Sequence, residues 1–385
     1  MRVLFVSHTF PLPGEPLSNV GGMQRLAVEQ RAALEAHAEV ELTSLVLESS
    51  SRWTELRTAP FLARLLWQIP AIVRRRGIDV VLFSSMVTAA TAPLLRGRLR
   101  GTGVLLAATP VGRDVTLPNP AYQRVVGRIL GALDVVLPIS RATAAECLAR
   151  GLAKERVAIV PCGVDAARFP PVEERESART TLLRALEQAG GEPLPEGSLL
   201  LCSVGRHQER KGFHWFIEEV MPRLPGDVAY LLGGSGPMSP RIRNSVERLG
   251  LRERVRVLGR VSEEMLLTLF RGSDLFVMPN VPVPGDIEGF GVVMLEAGLC
   301  GLPIVAADLE GIRDVVREGE NGVLLPAGSP EAFAAAIEGF RSDRAALRQA
   351  SEAALRSTLD RFAWDVVVEQ YVEALRAARA GTDGR

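Results

Sequence analysis

Short apolar or β-branched runs alternate with helix-like stretches along most of the chain, and this alternation restricts the fold more than any other feature. Neighbouring parallel strands are joined by crossovers that are usually helical, so the pattern predicts an α/β protein with parallel sheets covered by helices on both faces. The predicted strands fall into two series: Val3–Ser7, Val40–Val46, Val80–Phe83, Val104–Ala107, Val135–Pro138 and Val157–Val160, followed by Leu199–Val204, Val228–Leu232, Val255–Leu258, Leu275–Met278, Pro303–Ala306 and Gly322–Leu325. Predicted helices lie between them, among them Met23–Ala36, Thr143–Arg150, Phe213–Met221, Glu263–Arg271 and Pro330–Phe340. Two such series predict two doubly wound, Rossmann-like domains that face an interdomain cleft.

A stretch rich in proline, glycine and charge separates the two series. It carries Pro170-Pro171, a charged run at 173–176 and Gly190-Gly191. At 385 residues, the chain also exceeds what one ordinary core accommodates. We therefore predict a first domain at 1–168, a linker with one helix at 169–197, a second domain at 198–362, and a C-terminal helix at 363–385 that crosses back to the first domain.

Charge and cysteine content exclude several classes of protein. The chain has 45 basic and 45 acidic side chains, and this balance argues against nucleic-acid binding, which usually needs a basic excess. The four cysteines lack the spacing of metal ligands and indicate reduced thiols of a cytoplasmic protein. The first residues indicate a strand rather than a signal peptide, and no apolar stretch reaches the roughly 18 residues of a membrane-spanning helix.

Glu288 lies in a glycine-rich turn, and Glu296 lies about two turns into the apolar run that follows it. The run indicates a buried helix, whose first two turns would span only about 12 Å. Both carboxylates can then face one cleft at a helix N-terminus, where backbone N–H groups favour an anionic ligand. Carboxylates accept hydrogen bonds from vicinal hydroxyls, so the pair suits a nucleotide sugar. The alternative is a capped helix with one solvated and one paired glutamate.

Basic and glycine-rich segments follow other predicted strands. Gly205-Arg206 and, after a short polar loop, Lys211-Gly212 follow Leu199–Val204. A guanidinium fork and a lysine point charge together fit a diphosphate, and the plainer alternative is a pair of solvated basic side chains. Two further segments, Gly21-Gly22 and Gly233–Pro237, either let backbone approach a ligand closely or simply turn the chain. Gly259-Arg260-Val261 follows another strand, and its main-chain groups could contact a flat base.

The order of these motifs resembles retaining glycosyltransferases of family four, also called glycosyl transferases group 1, which have the GT-B fold. The resemblance extends over nearly the whole chain and rests on the segments Gly21-Gly22, Ile139-Ser140, Val160–Asp165, Val204–Gly212, Leu232–Pro237, Val257–Gly259, Ser273–Pro279, Glu288–Ala297, Gly301–Ala306 and Gly319–Gly322. It implies an enzyme that moves a hexose, with retention and without a metal, from a nucleotide-diphosphate sugar to a saccharide or lipid-linked acceptor. The implied setting is polysaccharide or glycolipid biosynthesis, with the nucleotide sugar as co-substrate and no cofactor.

The resemblance also implies residue roles in the second domain. Arg206 and Lys211 would grip the donor diphosphate, and Glu288 would bind hydroxyls of the donor sugar. Glu296 would hold the ribose hydroxyls. The remaining donor contacts would come from Val261 at the base, Gly22 near the phosphates, and the amides of Gly289, Phe290 and Gly291.

The chain departs from the family at one position. Where the family carries a histidine in a His-Gly-x-Asp motif, this chain has Val111, followed by Gly112, Arg113 and Asp114. His8, at the end of the first strand, either substitutes in part for that histidine or caps the strand. Asp114 either contacts the acceptor or donor sugar or caps the next loop. His207, between the two basic residues, either contacts phosphate or faces solvent.

The acceptor side of the first domain combines bulky apolar and basic residues. Residues from Trp53 to Arg76 include Arg74-Arg75-Arg76, and a second basic group comprises Arg96, Arg98 and Arg100. A basic amphipathic helix of this kind can lie on an anionic membrane, at the inner face in this case. The alternative is a helix that packs its apolar side on the sheet with its arginines outside.

Two other functions fit the same motifs. One is an epimerase or phosphorylase that uses nucleotide sugars on the same fold. The other, suggested by Val111, is a homologue that binds a nucleotide sugar without catalysis. The glutamate pair together with Arg206 and Lys211 fits transfer better than either.

Overall fold

The computed structural model describes residues 1–12, 22–49, 54–170, 172, 174–190, 192–195 and 197–383. Five residues named above lie outside the described ranges: Gly21, Trp53, Pro171, Glu173 and Gly191. The strands, in chain order, are β1 Arg2–Phe10, β2 Glu41–Glu48, β3 Val80–Phe83, β4 Leu105–Ala108, β5 Val135–Val136, β6 Leu199–Val204, β7 Val228–Gly233, β8 Val255–Gly259, β9 Leu275–Met278, β10 Ile304–Ala307 and β11 Gly322–Leu325.

Helices occupy most of the sequence between the strands. In chain order they are α1 Gly22–Ala36, α2 Thr54–Arg76, α3 Met86–Ala89, α4 Ala92–Arg98, α5 Arg113–Thr116, α6 Pro120–Gly131, α7 Arg141–Ala149, α8 Arg175–Gln188, α9 Phe213–Trp215, α10 Ser239–Arg248, α11 Glu263–Gly272, α12 Val293–Leu299, α13 Ile312–Val315, α14 Pro330–Ser342, α15 Arg344–Phe362 and α16 Trp364–Asp383. Short 3-10 turns lie at Lys154–Arg156 and Glu209–Lys211.

Tertiary contacts divide the chain into two compact units. The first comprises Met1–Val164 with Phe362–Arg385, and the second comprises Asp165–Arg361. The first contains a parallel sheet in the order β2-β1-β3-β4-β5, and the second a parallel sheet in the order β11-β10-β9-β6-β7-β8. Strand order reverses within each sheet, as in doubly wound folds, because successive strands are added first on one side and then on the other.

Alternation along β1 shows how the first sheet is buried on both faces. Leu4 and Val6 join a core with side chains of α2, whereas Val3 and Phe5 join a second core on the opposite face. The second core includes side chains of α16: Val367, Val368, Tyr371, Val372 and Leu375. Successive side chains of a strand point to opposite faces, so one strand supports both layers of helices.

The predicted linker at 169–197 contains α8, which packs within the second unit. Leu182 of α8 is fully buried, and a Cβ added at Gly272 of α11 would lie 2.5 Å from the Leu182 Cβ atom. The side chains of Arg179 and Asp274 also form an ion pair at 2.9 Å. This close packing makes α8 part of the helical layer, and the boundary between the units lies after Val164 rather than after residue 168.

Two predicted elements differ from the structure. Val157–Val160 does not form a strand: it makes one isolated bridge to Val136 and donates two backbone hydrogen bonds, because Pro138 of the neighbouring segment has no N–H to return. The predicted helix Phe213–Met221 begins as α9 but continues as a π-helical turn at Phe216–Val220 and a 3-10 turn at Met221–Arg223. Pro222 cannot continue an α-helical ladder at that point.

Candidate functional site

Loops that follow neighbouring strands of the six-stranded sheet bring two predicted site residues, Lys211 and Glu288, and a further glutamate, Glu310, to one edge. Lys211 follows β6, Glu288 follows β9, and Glu310 follows β10. Because these three strands are adjacent and parallel, their carboxyl ends lie in a row. Ligands of doubly wound sheets bind at this edge.

Glu288 is the centre of a buried charge cluster. Its atom Oε2 lies 2.5 Å from Lys211 Nζ and accepts a hydrogen bond of 3.1 Å from Asn280 Nδ2 and a shorter one from Arg210. Arg210 also pairs with Asp286 at 3.2 Å. Only 6% of Glu288 and 7% of Lys211 is exposed. Lys211 and Glu288 are therefore in direct contact; their role in one donor site stays a prediction.

The cluster keeps Glu288 ionised. Burial by itself raises the pKa of this carboxyl, but the cations of Lys211 and Arg210 and the hydrogen bonds from Lys211 and Asn280 outweigh burial and hold the pKa at about 2. Burial lowers the pKa of Lys211, and Glu288 only partly offsets this. The surroundings outweigh burial for Glu288 but not for Lys211, because two cations and an amide share one oxygen of the Glu288 carboxylate.

Part of the hydrogen-bonding capacity at this edge is not used by the described residues. Among the described residues, none donates to Oε1 of Glu288, and every side-chain contact of this residue goes to Oε2. The backbone N–H groups of Gly289 and Gly291 also donate to no described residue. Phe290 between them is buried and anchors the loop. One carboxylate oxygen and two amides therefore remain available for a polar ligand.

The ends of β6, β7 and β8 form a basic half of the same edge. Arg206 is exposed, and its guanidinium makes no hydrogen bond or ion pair with the described residues. Arg260 is also exposed and donates to Ser235 Oγ at 3.3 Å. Val261, the predicted base contact, is half-buried beside Gly233. The edge is thus acidic near β10 and β9 and basic from β6 to β8.

Glu296 lies in the first turn of α12, closer to the helix start than predicted, and is buried. Its Oε1 atom lies 3.6 Å from Arg168, which also pairs with Glu263. Arg168 is a residue that sequence reasoning missed, because it was placed at the end of the first domain. The structure assigns Arg168 to the second unit, which explains the pairing.

Gly212 shows why the loop after Lys211 needs glycine. Its φ is +65°, and an added Cβ would lie 1.8 Å from the carbonyl oxygen of Pro279 at the end of β9. Glycine therefore lets the β6 loop cross the β9 segment, and this crossing brings Lys211 beside Glu288.

The sequence analysis does not predict the contacts of Arg210 and Asn280 with Glu288. For Arg210, its position next to Lys211 is the signal in the sequence that could have indicated a role in the site.

His207 does not face solvent, which was one of its two predicted environments. The imidazole is buried, its Nδ1 lies 2.8 Å from Ser239 Oγ, and its ring packs edge-on against Phe213. Contact of His207 with a phosphate stays a prediction. Its backbone joins the loop after β7, since His207 N–H donates to the Ser235 carbonyl oxygen. The side chain of His207 thus packs between the loop after β6 and the segment that follows β7.

The predicted residues of the first unit gather at the carboxyl edge of the five-stranded sheet. His8 Nδ1 lies 3.4 Å from Ser85 Oγ, and burial lowers the pKa of His8 to about 4. Asp114 accepts hydrogen bonds from the backbone N–H groups of Met86 at 3.0 Å and Val111 at 2.9 Å, one on each oxygen. Burial raises the pKa of Asp114 to about 6, although these bonds oppose the rise. This geometry favours the capping alternative for Asp114.

Gly22 begins α1, and an added Cβ there would meet no atom within 4 Å.

No group of three or more His, Cys, Asp or Glu side chains in the described part of the chain is arranged to hold a metal ion. Metal independence stays a prediction. The described helices include none that is both long and apolar enough to cross a bilayer.

Comparisons with known proteins identify the family. Residues 20–168 match the profile of Glycosyltransferase Family 4, and residues 198–343 match that of Glycosyl transferases group 1. A D-inositol 3-phosphate glycosyltransferase 1 of Catenulispora acidiphila is 30% identical over 305 residues, which cover 76% of this chain and 68% of that protein. A D-inositol 3-phosphate glycosyltransferase of Xylanimonas cellulosilytica is 34% identical over 276 residues, which cover 68% of this chain and 62% of that protein. The chain belongs to glycosyltransferase family 4.

Solved structures identify the fold. The Alr3699/HepE protein of Anabaena in complex with UDP is 19% identical, with 98% of this chain and 100% of that chain covered and a TM-score of 0.73. The predicted fold class, two doubly wound domains of the GT-B type, is confirmed; the facing cleft stays a prediction. The chain spans roughly half to three fifths of the length of the first curated relatives it matches.

Proposed function

We propose that the chain is a retaining, metal-independent glycosyltransferase that moves a hexose from a nucleotide-diphosphate sugar to a saccharide or lipid-linked acceptor in polysaccharide or glycolipid biosynthesis. The observation that carries the proposal is the buried, ionised Glu288, which keeps Oε1 available beside the available amides of Gly289 and Gly291. Such a group of acceptor and donors suits the vicinal hydroxyls of a sugar.

The distribution of charge along the edge supports the orientation of the donor. The end near β10 and β9 carries the carboxylates Asp286, Glu288 and Glu310, whereas Arg206 and Arg260 lie at the ends of β6 and β8. A nucleotide sugar has a neutral hydroxyl-rich end and an anionic diphosphate. The sugar would therefore lie at the acidic half and the diphosphate at the basic half, with Glu296 at the ribose and the backbone of Val261 at the base.

The chemistry required of the protein is mainly stabilisation of charge. In a retaining transfer, the leaving phosphate accepts the proton of the acceptor hydroxyl on the face where the new bond forms. Arg206 has an exposed guanidinium that pairs with no described residue and can stabilise the developing negative charge. Lys211 has three N–H donors and uses one on Glu288, so its remaining donors can bind the diphosphate. In this scheme no side chain has to replace the family histidine at Val111.

The first unit is proposed to bind the acceptor, with His8 and Asp114 near it. Both His8 and Asp114 contact residues at the start of α3, which places them at one edge of the sheet. Because both oxygens of the Asp114 carboxylate already accept backbone N–H groups, we propose that Asp114 positions the loop rather than binding the acceptor directly.

We propose a cytoplasmic enzyme with access to the inner face of the membrane, since a lipid-linked acceptor would lie there.

A surface on α2 and α4 supports the membrane proposal. Trp67 is 74% exposed, the guanidinium of Arg98 lies 4.8 Å from its ring centre, and Leu94, one turn before Arg98, is also exposed. Arg64 and Arg75 of α2 are exposed too. An exposed tryptophan beside several arginines has the chemistry to bind an anionic bilayer.

The donor test is a panel of UDP-, GDP- and ADP-hexoses screened by thermal shift, followed by transfer assays with saccharide acceptors. D-inositol 3-phosphate, the compound in the names of two relatives, belongs in the acceptor panel. We expect one donor to raise the melting temperature and to transfer with retained anomeric configuration, determined by NMR. Formation of an epimer from donor alone favours an epimerase. Tight binding without transfer or hydrolysis favours a non-catalytic homologue.

The membrane test compares vesicle binding of two matched variants. The first combines Arg64→Gln, Trp67→Ser and Arg75→Gln, which leaves Arg76 with its hydrogen bond to Thr43. The control combines Arg124→Gln, Val125→Ser and Arg128→Gln, all exposed on α6. Two arginines near an anionic surface contribute roughly 2 kcal/mol, so the first variant should bind at least about 30-fold more weakly. Equal binding by both variants and the wild type contradicts the proposal.

A further inference from the structure

Glu310 has an unusual backbone conformation for its residue type. Within the described ranges it is the one non-glycine residue with positive φ, at 46°. This left-handed region disfavours any residue with a Cβ atom. The strain lies in the loop directly after β10, at the edge where Glu288 lies.

The loop of Glu310 holds both backbone groups of Glu288. The carboxylate of Glu310 accepts a hydrogen bond from the Glu288 N–H, and the N–H of Gly311 donates to the Glu288 carbonyl oxygen at 3.1 Å. A Cβ added at Gly311 would lie 2.2 Å from the carbonyl oxygen of Gly289, so the two loops are in direct contact. Two consecutive residues therefore determine the orientation of the peptide group before Glu288 and of the one after it.

The position is also electrostatically unfavourable for a carboxylate. Burial raises the pKa of Glu310, and the nearby carboxylates of Glu288 and Asp286 raise it further. The hydrogen bond from the Glu288 N–H and the cation of Arg210 oppose the rise but do not cancel it. A glycine would avoid both the strain and the repulsion. Strained residues persist where the surrounding structure requires them, and they occur most often at functional sites.

We propose that Glu310 is a positioning residue for the donor sugar: its carboxylate orients the 288–291 loop so that Glu288 Oε1 and the amides of Gly289 and Gly291 converge on the sugar hydroxyls. This inference rests on the proposed function. Glu310 acts through the Glu288 peptide and not on the reacting atoms.

The test compares Glu310→Gln, Glu310→Ala and Glu310→Gly with the wild type. Gln keeps an oxygen that can accept the Glu288 N–H, Ala removes it and retains the strain, and Gly removes both. We expect Ala and Gly to lower kcat/KM for transfer about 10- to 100-fold, with Gln within about threefold of wild type. Because Gly relieves the strain, it should melt above Ala while remaining equally slow. A purely structural role would instead make activity follow melting temperature.

Two measurements separate sugar positioning from general binding. Affinity for the nucleotide sugar should fall in Ala and Gly, whereas affinity for the matching nucleoside diphosphate should not change. Hydrogen exchange of the peptide covering 286–292 should be faster in both variants. The control is Glu318→Gln, because the Glu318 carboxylate also accepts a backbone N–H, from Leu324 at 3.0 Å, on the loop before β11.

The outcomes distinguish this inference from the proposed function. If the wild type neither binds nor turns over any nucleotide sugar, the proposed function fails, and hydrogen exchange with melting temperature still decides whether Glu310 holds the loop. If the wild type is active and Ala and Gly match it in rate and exchange, the positioning role is overturned. Equal effects of Glu318→Gln and Glu310→Ala on activity also overturn it.

Discussion

Replacing Lys211 with Met, Glu288 with Gln, and both together measures how far these two side chains act as one unit. Lys211 Nζ lies 2.5 Å from Glu288 Oε2, and both side chains are almost completely buried. The pKa of Glu288 is about 2 against an ordinary value of 4.5, so its surroundings favour the ionised form by about 3 kcal/mol. Lys211 shares this effect with Arg210 and Asn280, so we expect a coupling energy of about 1–2 kcal/mol between Lys211 and Glu288, within the range for side chains in direct contact.

The assay for stability is urea unfolding of the four proteins. Lys211→Met alone should lower the unfolding free energy by about 2–3 kcal/mol, less than the ~3–5 kcal/mol expected for a fully unpaired buried charge, because Arg210 remains on the same oxygen. The double variant should lose less unfolding free energy than the sum of the two single losses, and the difference should equal the coupling energy of about 1–2 kcal/mol. Additive effects within about 0.5 kcal/mol refute the reasoning.

The assay for function is the initial rate of transfer by the same proteins. Each single variant should lose about 100- to 1,000-fold in kcat, the size seen when one preorganised charge-stabilising group is removed. The double variant should be little slower than the slower single variant, since the pair acts as a unit. Arg179→Met is the control, because it breaks a pair of 2.9 Å with Asp274 in the same unit and should cost stability without lowering kcat. Wild-type transfer rates in both single variants would show that Lys211 and Glu288 do not take part in transfer.

Three further predictions concern the same unit. Arg206→Gln should lower kcat about 100-fold but change the free energy of unfolding by less than about 0.5 kcal/mol, because the side chain is exposed and pairs with no described residue; a large loss of stability contradicts this. Glu296→Gln should weaken nucleoside diphosphate binding about 10-fold in calorimetry through loss of the ribose contact, and unchanged affinity would count against that role. The folded-state pKa of Glu288 is depressed from 4.5 to about 2, so its contribution of about 3 kcal/mol is complete above pH 4.5 and is lost as the pH falls toward 2. Glu288→Gln should therefore flatten the stability curve in that window, and a curve parallel to wild type would be inconsistent with the low pKa.

Much of the fold could be predicted because its signals are local. The bounds of β3, β6, β9 and β11 agree with those predicted, since each is a short apolar run between helix-forming segments. The prediction failed at Val157–Val160, where pairing depends on a proline in the neighbouring segment. It also differed at α8, whose assignment to the second unit depends on packing of Leu182 against α11.

The sequence by itself determined the family, the two parallel sheets, and the presence of Arg206, Lys211 and Glu288 at strand ends, because periodicity and motif order are properties of neighbouring residues. Only the tertiary structure decided how those residues pair. Arg210 and Lys211 share one oxygen of Glu288, Arg168 neutralises Glu296, and Glu310 holds the Glu288 backbone. These contacts join residues 22 to 128 positions apart, and separations of this kind are set by strand order and loop crossing, which no local pattern encodes.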